Sequence, residues 1–188
     1  MDLLHLPEFW KLTIFICFCV IIAVQLFYYL FFFNKLAQYK APQKSSSLQY
    51  PVSVIVCARD EAENIARNLP GILVQDYKTT FEVIVVNDNS TDETKYLLDE
   101  FKKTFKNLNP VALTQEAKMI PGKKFPLSIG IKSAKYEVVL LTDADCVPAS
   151  ENWIFKMQDG YFDDKQIVLG YGAYHKHPGI LNKLIRFE

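Results

Sequence analysis

The chain has 188 residues, and its 21 Lys and Arg balance 21 Asp and Glu, so the formal net charge at pH 7 is zero. A neutral chain lacks the one-signed field of a protein that coats nucleic acid, and that class is excluded. Half of the residues are hydrophobic, with 7 Gly and 9 Pro, which excludes a disordered chain.

The first predicted element is a transmembrane helix over residues 12–33. This segment has no charged residue, and only Thr13 and Gln25 interrupt its apolar run. As a helix it would be roughly 33 Å long, enough to cross the hydrocarbon core of a bilayer. A buried core helix would need a far larger domain around it, and a cleaved signal peptide would have a basic start and a small-residue cleavage site. The sequence therefore predicts a retained single-pass anchor.

The residues on either side of this segment predict its orientation. Residues 1–11 carry two acids and one Lys, whereas residues 34–50 carry Lys35, Lys40 and Lys44 and no acid. The positive-inside rule then places residues 1–11 outside the cell and residues 51–188 in the cytosol, with 34–50 as a basic, polar linker. The cysteines show no disulfide-framework spacing, which favours a reducing compartment.

From residue 51 onward, segments with strand and helix periodicity alternate. Short apolar, β-branched runs predict strands at Val52–Cys57, Phe81–Val86, Pro110–Leu113, Glu137–Thr142 and Gln166–Tyr174. Apolar stripes with helical spacing predict helices over Glu61–Gln75, after a capping box at Ser90–Glu93, and over Lys124–Ala134. This alternation predicts an α/β domain with a mostly parallel sheet and helices on both faces.

Polar residues follow three of the predicted strands, at the sheet edge where parallel α/β folds bind ligands. Asp143 and Asp145 leave the fourth strand with i, i+2 spacing, so both carboxylates can point the same way. Hard oxygen ligands of this kind suit Mn²⁺ or Mg²⁺, which takes further ligands from water and substrate phosphates. No glycine-rich dinucleotide or Walker motif follows a strand. The sequence thus predicts a site for a metal ion and a diphosphate.

Other residues near these ends have two interpretations each. Asp88 can accept hydrogen bonds from a nucleobase or ribose, or it can belong to a helix-start turn. Lys123 and Lys124 can bind phosphate as point charges, or they can form a solvated turn. Arg59 and Glu61 can bind a ligand or form a surface ion pair.

Four motifs in order, VSVIVCARDEAEN, VIVVNDNSTD, GKK and LLTDADCVP, together resemble the inverting family-two glycosyltransferases with the type-A fold. The resemblance spans residues 51–148 and implies a UDP- or GDP-linked sugar donor, a cytosolic membrane-bound enzyme, and Mn²⁺ or Mg²⁺ as cofactor. By this resemblance the donor-site residues are Ala58, Arg59 and Glu61 near the nucleotide, Lys124 in the same site, Asp88 at the base, Asp143 at the ribose or metal, and Asp145 at the metal.

The same family carries its catalytic base on a later segment, and no residue of this chain is assigned that role. The chain is expected to hold an anchor and a donor-binding half, so a non-catalytic nucleotide-sugar-binding module remains an alternative. A phosphatase with Asp143 as nucleophile and Asp145 as acid/base is a second alternative. It is disfavoured because the acidic pair follows the fourth strand and continues as Cys146-Val147.

Overall fold

A computed structural model describes residues 8–38, 49–113, 122–161 and 166–186. The chain divides into two compact units, residues 1–43 and residues 44–188. Each unit has its own architecture.

The first unit is a long apolar helix. Helix α1 (Glu8–Tyr28) continues through a π-helical turn (Tyr29–Phe33) into the short helix α2 (Asn34–Ala37). Among the described residues, Glu8–Phe33 is the one segment long and apolar enough to cross a membrane, with mean hydropathy 2.5 and no buried residue. The helix begins at Glu8 and not at Leu12, while residues 1–7 and 39–48 of the predicted flanks lie outside the described residues.

The second unit is built on a four-stranded sheet in which every pair of neighbours is parallel. In the part of the chain that the structure describes, the strands are β1 (Val52–Ala58), β2 (Phe81–Asn87), β3 (Leu108–Ala112) and β4 (Val138–Asp143), and the helices are α3 (Ala62–Leu73), α4 (Thr94–Thr104), α5 (Lys124–Ser133), α6 (Trp153–Asp159) and α7 (Ile180–Ile185). The order of the strands in the sheet is β3-β2-β1-β4. The predicted α/β class with a parallel sheet is confirmed.

Alternate side chains of the central strands pack on opposite faces of the sheet. On one face, Val54 and Val56 join Leu69 of α3 and Leu98 of α4 in the larger core cluster. On the other face, Ile55, Ile84 and Val86 pack with Leu127 of α5. A strand segment buried on both sides favours apolar residues, which is why residues 54–58 of β1 and 83–86 of β2 are continuous hydrophobic runs. Helices on both faces are therefore confirmed.

Gly130 allows α5 to approach the sheet closely. A Cβ atom at this position would lie 2.6 Å from Ile55 Cγ2 and 3.1 Å from Val86 Cγ2. Both neighbours are almost completely buried in the core cluster on this face, so moving them would displace other core side chains. We expect Gly130→Ala to lower the free energy of unfolding by about 1–2 kcal/mol, because overpacking outweighs the roughly 1 kcal/mol that alanine gains in a helix.

Denaturant unfolding of the full chain in detergent measures this effect. Lys132→Ala, at an exposed position of the same helix, is the matched control and is expected to change stability by less than about 0.5 kcal/mol. A Gly130→Ala variant more stable than wild type would contradict the close approach.

Two local predictions are wrong. Residues 166–174 form no strand, and Ile167, Leu169 and Tyr171 are 79%, 92% and 82% exposed. Their β-favouring composition is insufficient because a strand requires a hydrogen-bonded neighbour. The capping box at Ser90–Glu93 is also wrong, since α4 begins at Thr94 and Ser90 Oγ accepts a hydrogen bond from the Asp60 amide 30 residues away. Ser90 thus makes a tertiary contact, and the first helical amide, that of Thr94, donates instead to Asp92 Oδ1 at 3.1 Å.

Candidate active site

A cleft of about 350 Å³ opens at the carboxyl ends of β1, β2 and β4. The three strands are parallel and end close together: Ala58 pairs with Asn87, and Asp143 pairs with Cys57, the residue before Ala58. Six of the predicted site residues line it: Ala58, Arg59, Glu61, Asp88, Asp143 and Asp145. The fold thus brings together residues that are up to 87 positions apart in the sequence.

The loops after β1 and β2 are cross-linked by hydrogen bonds. Asp60 Oδ1 accepts hydrogen bonds from the Thr91 amide at 2.6 Å and the Thr91 hydroxyl at 3.1 Å. In the reverse direction, the Ala62 amide donates to Asp92 Oδ2 at 2.9 Å. Asp60 has a positive φ of 54°, a strained conformation that these bonds hold. The cross-links fix the two loops that carry Arg59, Glu61 and Asp88.

Both aspartates of this cross-link have altered acidity. The backbone hydrogen bond from Thr91 is the main reason that the pKa of Asp60 lies below its ordinary value. Hydrogen bonds from Thr94 and from the Ala62 amide likewise lower the pKa of Asp92. A lowered carboxyl pKa contributes stability above the ordinary pKa and loses it as pH falls through the folded value. We therefore expect the two cross-links to be present at neutral pH and to weaken as the pH falls through these lowered pKa values.

Asp88 is the most buried of the acidic residues in the cleft, with 7% of its surface exposed. Its amide donates a 2.8 Å hydrogen bond to the Ala58 carbonyl, so the β1–β2 pairing continues one step past the end of β2. This backbone contact places the Asp88 carboxylate at the wall of the cleft. From this position the carboxylate can accept hydrogen bonds from a ligand bound in the cleft.

The acidic pair after β4 lies at the open side of the cleft. Ligand atoms of Asp143, Asp145 and the Cys146 thiol lie within 4.8 Å of one another, and all three residues are exposed. Two adjacent carboxylates form a donor set that fits Mn²⁺ or Mg²⁺, which prefer oxygen ligands and retain open positions for water and phosphate. The residues present therefore fit the cation that the sequence predicts.

Lys123 enters the cleft, whereas its neighbour Lys124 lies outside the cleft lining and is exposed. Lys123 Nζ donates a hydrogen bond to Asp143 Oδ1, and each side chain is about half exposed. Partial burial lowers the pKa of Lys123, but the hydrogen bond and the negative charge of Asp143 outweigh it and the net pKa is raised. Lys123 therefore carries a full positive charge beside the acidic pair. The structure favours Lys123 over Lys124 as the lysine that could contact a phosphate in the cleft.

Cys57 is a cleft residue that sequence reasoning placed only in a strand. It is the penultimate residue of β1, half-buried, and its Cα pairs with Asp143 of β4. Burial raises the pKa of its thiol, the charges of Asp143 and Asp88 raise it further, and Lys123 acts in the opposite direction. The thiol is neutral at pH 7. Gly122, Pro126 and Ala144 are further lining residues without a sequence signal.

We expect Lys123→Met to tighten the binding of Mn²⁺ alone by about two- to fivefold, because Asp143 loses a competing cation. The same change is expected to weaken UDP or GDP binding in the presence of Mn²⁺ by about tenfold, since a diphosphate loses a charged hydrogen-bond donor. Calorimetric titration of the full chain with Mn²⁺ and then with nucleotide measures both effects.

Lys124→Met is the matched control for this variant, since it removes the same charge one residue away and outside the cleft. Both affinities should stay within about twofold of wild type. A larger loss of nucleotide affinity in Lys124→Met than in Lys123→Met would restore the sequence-based choice of Lys124.

The family model for glycosyl transferase family 2 matches residues 53–185, which include the cleft and all of the sheet except Val52. The chain belongs to this family. Membership favours the glycosyltransferase interpretation over the phosphatase alternative, because the acidic pair lies at the end of the fourth strand of a glycosyl transferase domain.

Three similar proteins illustrate this relationship. Poly-beta-1,6-N-acetyl-D-glucosamine synthase of Staphylococcus epidermidis is 31% identical over 134 residues, 70% of this chain and 29% of that protein. Glycosyltransferase AglE of Haloferax volcanii is 32% identical over 104 residues, 55% of this chain and 33% of that protein. A mannosyltransferase of Pyrobaculum calidifontis, solved with GDP-Man and Mn²⁺, matches with TM-score 0.60 and 25% identity over 70% of this chain and 38% of its own. The chain thus spans about a third of the length of these relatives.

Proposed function

We propose that residues 51–188 bind the donor in a cation-dependent transfer of sugar from a nucleotide diphosphate sugar. The observation that carries this proposal is the convergence of Asp88, Asp143 and Asp145 in one cleft at the carboxyl ends of three parallel strands. The solved relative with GDP-Man and Mn²⁺ supports the same class of donor and cofactor.

Each residue of the cleft has a chemical task in this proposal. Asp143 and Asp145 hold Mn²⁺ or Mg²⁺, while Asp88 accepts hydrogen bonds from the base or ribose. Lys123 and Arg59 offer positive charge to the phosphate oxygens. When bound, the cation neutralises charge on the leaving diphosphate and supplies several kcal/mol of stabilisation.

The experiment that tests donor binding is calorimetric titration of the full chain in detergent with UDP and with GDP. We expect binding of at least one nucleotide in the presence of Mn²⁺, and its loss after chelation of the ion by EDTA. Equal binding with and without the ion would contradict the cation site. Absence of binding for both nucleotides would contradict the donor site.

Transfer itself is a separate measurement, because the chain spans about a third of the relatives' length and no catalytic base is assigned. Incubation with radiolabelled donor, Mn²⁺ and membrane extract as acceptor source should release free nucleotide diphosphate and label an acceptor. Donor binding without this turnover would support the non-catalytic alternative, in which these residues act as a binding module.

We also propose that Glu8–Phe33 anchors the cleft-bearing unit at the cytosolic face of a membrane. The length and apolar character of this helix support the anchor, and Lys35, Lys40 and Lys44 on one side of it support the orientation. Cys146 is exposed, so an impermeant maleimide should label it in inverted vesicles and not in intact cells. Labelling of Cys146 in intact cells would reverse the orientation.

A further inference from the structure

Asn68 is a buried polar side chain on the helix that packs behind the acidic pair. It lies in the middle of α3, and 4% of its surface is exposed. Its Nδ2 donates a 2.9 Å hydrogen bond to the carbonyl oxygen of Ala144, 76 residues further along the chain. Burying an amide is costly unless it is hydrogen-bonded, and the bond to Ala144 compensates for the burial of Nδ2, whereas Oδ1 is buried without a hydrogen-bond partner.

The acceptor of this bond is the residue between the two aspartates. Ala144 is 5% exposed and belongs to the core cluster, whereas Asp143 and Asp145 on either side are exposed. The turn also closes on itself, because the Cys146 amide donates to the Asp143 carbonyl at 3.2 Å. Because Asn68 of α3 holds the middle residue of the turn towards the core, both flanking carboxylates lie on the outer side of the turn, at the cleft.

We propose that Asn68 is a positioning residue for the cation site, acting through the Ala144 carbonyl on Asp143 and Asp145. This inference rests on the proposed function, in which those two carboxylates hold the divalent ion. Residues that orient metal ligands through a second layer of hydrogen bonds typically change metal affinity by 10–100-fold when they are replaced. Loss of the Asn68 amide frees the turn, so both carboxylates must be ordered when the ion binds.

Gln75 provides a matched comparison, since it ties α3 to the same connecting segment further from the aspartates. Its Oε1 accepts hydrogen bonds from the amides of Trp153 at 2.8 Å and Ile154 at 3.3 Å. Its Nε2 donates to the Ser150 carbonyl at 3.1 Å and to the Gly71 carbonyl at 2.9 Å. Gln75 therefore makes more hydrogen bonds than Asn68, and none of them is to the turn that carries the acidic pair.

The two residues should affect different measurements. Asn68→Leu keeps a side chain of similar volume and removes the donor, and it is expected to weaken Mn²⁺ binding by about tenfold. Gln75→Ala should lower the unfolding midpoint more than Asn68→Leu does and leave Mn²⁺ affinity within about threefold of wild type. Asn68→Ala is the second variant should the branched leucine side chain prevent folding.

The experiment uses the full chain in detergent with Mn²⁺ alone, so no donor or turnover is required. The electron paramagnetic resonance signal of free Mn²⁺ measures affinity, and the line shape of bound Mn²⁺ reports the geometry of its ligands. We expect weaker binding and an altered line shape in the Asn68 variants, with Gln75→Ala retaining the wild-type line shape. Folding is checked by circular dichroism.

Two results would overturn the inference while leaving the proposed function in place. One is wild-type affinity and line shape in both Asn68 variants, with Asp145→Ala still losing the ion. The other is an equal loss of affinity in Gln75→Ala and Asn68→Leu, which would indicate a general structural role. No Mn²⁺ binding by the wild-type chain, or equal binding by Asp145→Ala, would overturn the proposed cation site and this inference with it.

Discussion

Replacing Asp145 by alanine is expected to abolish cation-dependent nucleotide binding and to leave the fold intact. Asp145 is exposed at the rim of the cleft, so no core packing is lost. Its removal leaves Asp143 as the single carboxylate of the pair, and Asp143 already accepts a hydrogen bond from Lys123. We expect the affinity for UDP or GDP with Mn²⁺ to fall at least about 100-fold, since a direct ligand counts for more than a second-layer partner.

Calorimetric titration measures this loss, and denaturant unfolding checks that stability is unchanged. Asp99→Ala is the matched control, because Asp99 is an exposed aspartate of α4 outside the cleft lining. It should bind nucleotide and cation as the wild type does. Unchanged affinity in Asp145→Ala would contradict the assignment of the cation to the acidic pair.

The largest stability effect is expected at Glu82, a carboxylate of β2 with 3% of its surface exposed. Its Oε1 accepts hydrogen bonds from Ser53 Oγ and from the Lys135 amide, both at 2.8 Å. Its Oε2 accepts from Asn109 Nδ2 at 2.6 Å and lies 3.7 Å from Lys135 Nζ. One side chain thus joins β1, β2, β3 and the segment that leads into β4.

We expect Glu82→Ala to lower the free energy of unfolding by about 3–5 kcal/mol, because it leaves the buried Ser53 hydroxyl and the partly buried donors of Asn109 and Lys135 without this acceptor. Glu82→Gln should lose less, since its carbonyl oxygen can still accept from Ser53 and Lys135. Glu63→Ala is the control: Glu63 pairs with Arg67 on the surface, and its side chain is 84% exposed. Its loss should cost less than about 1 kcal/mol.

Denaturant unfolding of the full chain in detergent distinguishes these variants. The cleft lies at the opposite ends of the strands from Glu82, so nucleotide affinity should be unchanged in any variant that remains folded. If Glu82→Ala were as stable as Glu63→Ala, the buried carboxylate would contribute no more to the free energy of unfolding than a solvated one, which would contradict this prediction.

Much of the fold was predictable because it depends on local periodicity. Residues 54–58 of β1 and 83–86 of β2 are continuous apolar runs, and the helix between them has its apolar buried residues at helical spacing, including Ile65, Leu69 and Ile72. These patterns identify buried strands and an amphipathic helix without reference to the rest of the chain. The strand predicted over residues 166–174 is wrong because strand formation depends on a neighbouring strand, and local periodicity carries no information about that neighbour.

The grouping of the acidic residues at the candidate site was also predictable from the strand pattern. The carboxyl ends of parallel strands share one edge, so Asp88, Asp143 and Asp145 could be grouped once the strands were recognised. The choice between Lys123 and Lys124 could not be made this way, because adjacent residues at the start of α5 project in different directions. Only the packing of α5 on β1 and β2, with Gly130 at the contact, decides which ammonium enters the cleft.

The sequence by itself therefore determined the apolar helix, the parallel α/β class and the strand ends that carry the acidic residues. The tertiary structure decided the partners of the buried polar groups, including Asn68 with Ala144 and Glu82 with Lys135. Periodicity reports interactions between residues a few positions apart, whereas these partners are 76 and 53 positions apart. A buried amide or carboxylate has no periodic signature, and its partner is set by the path of the whole chain.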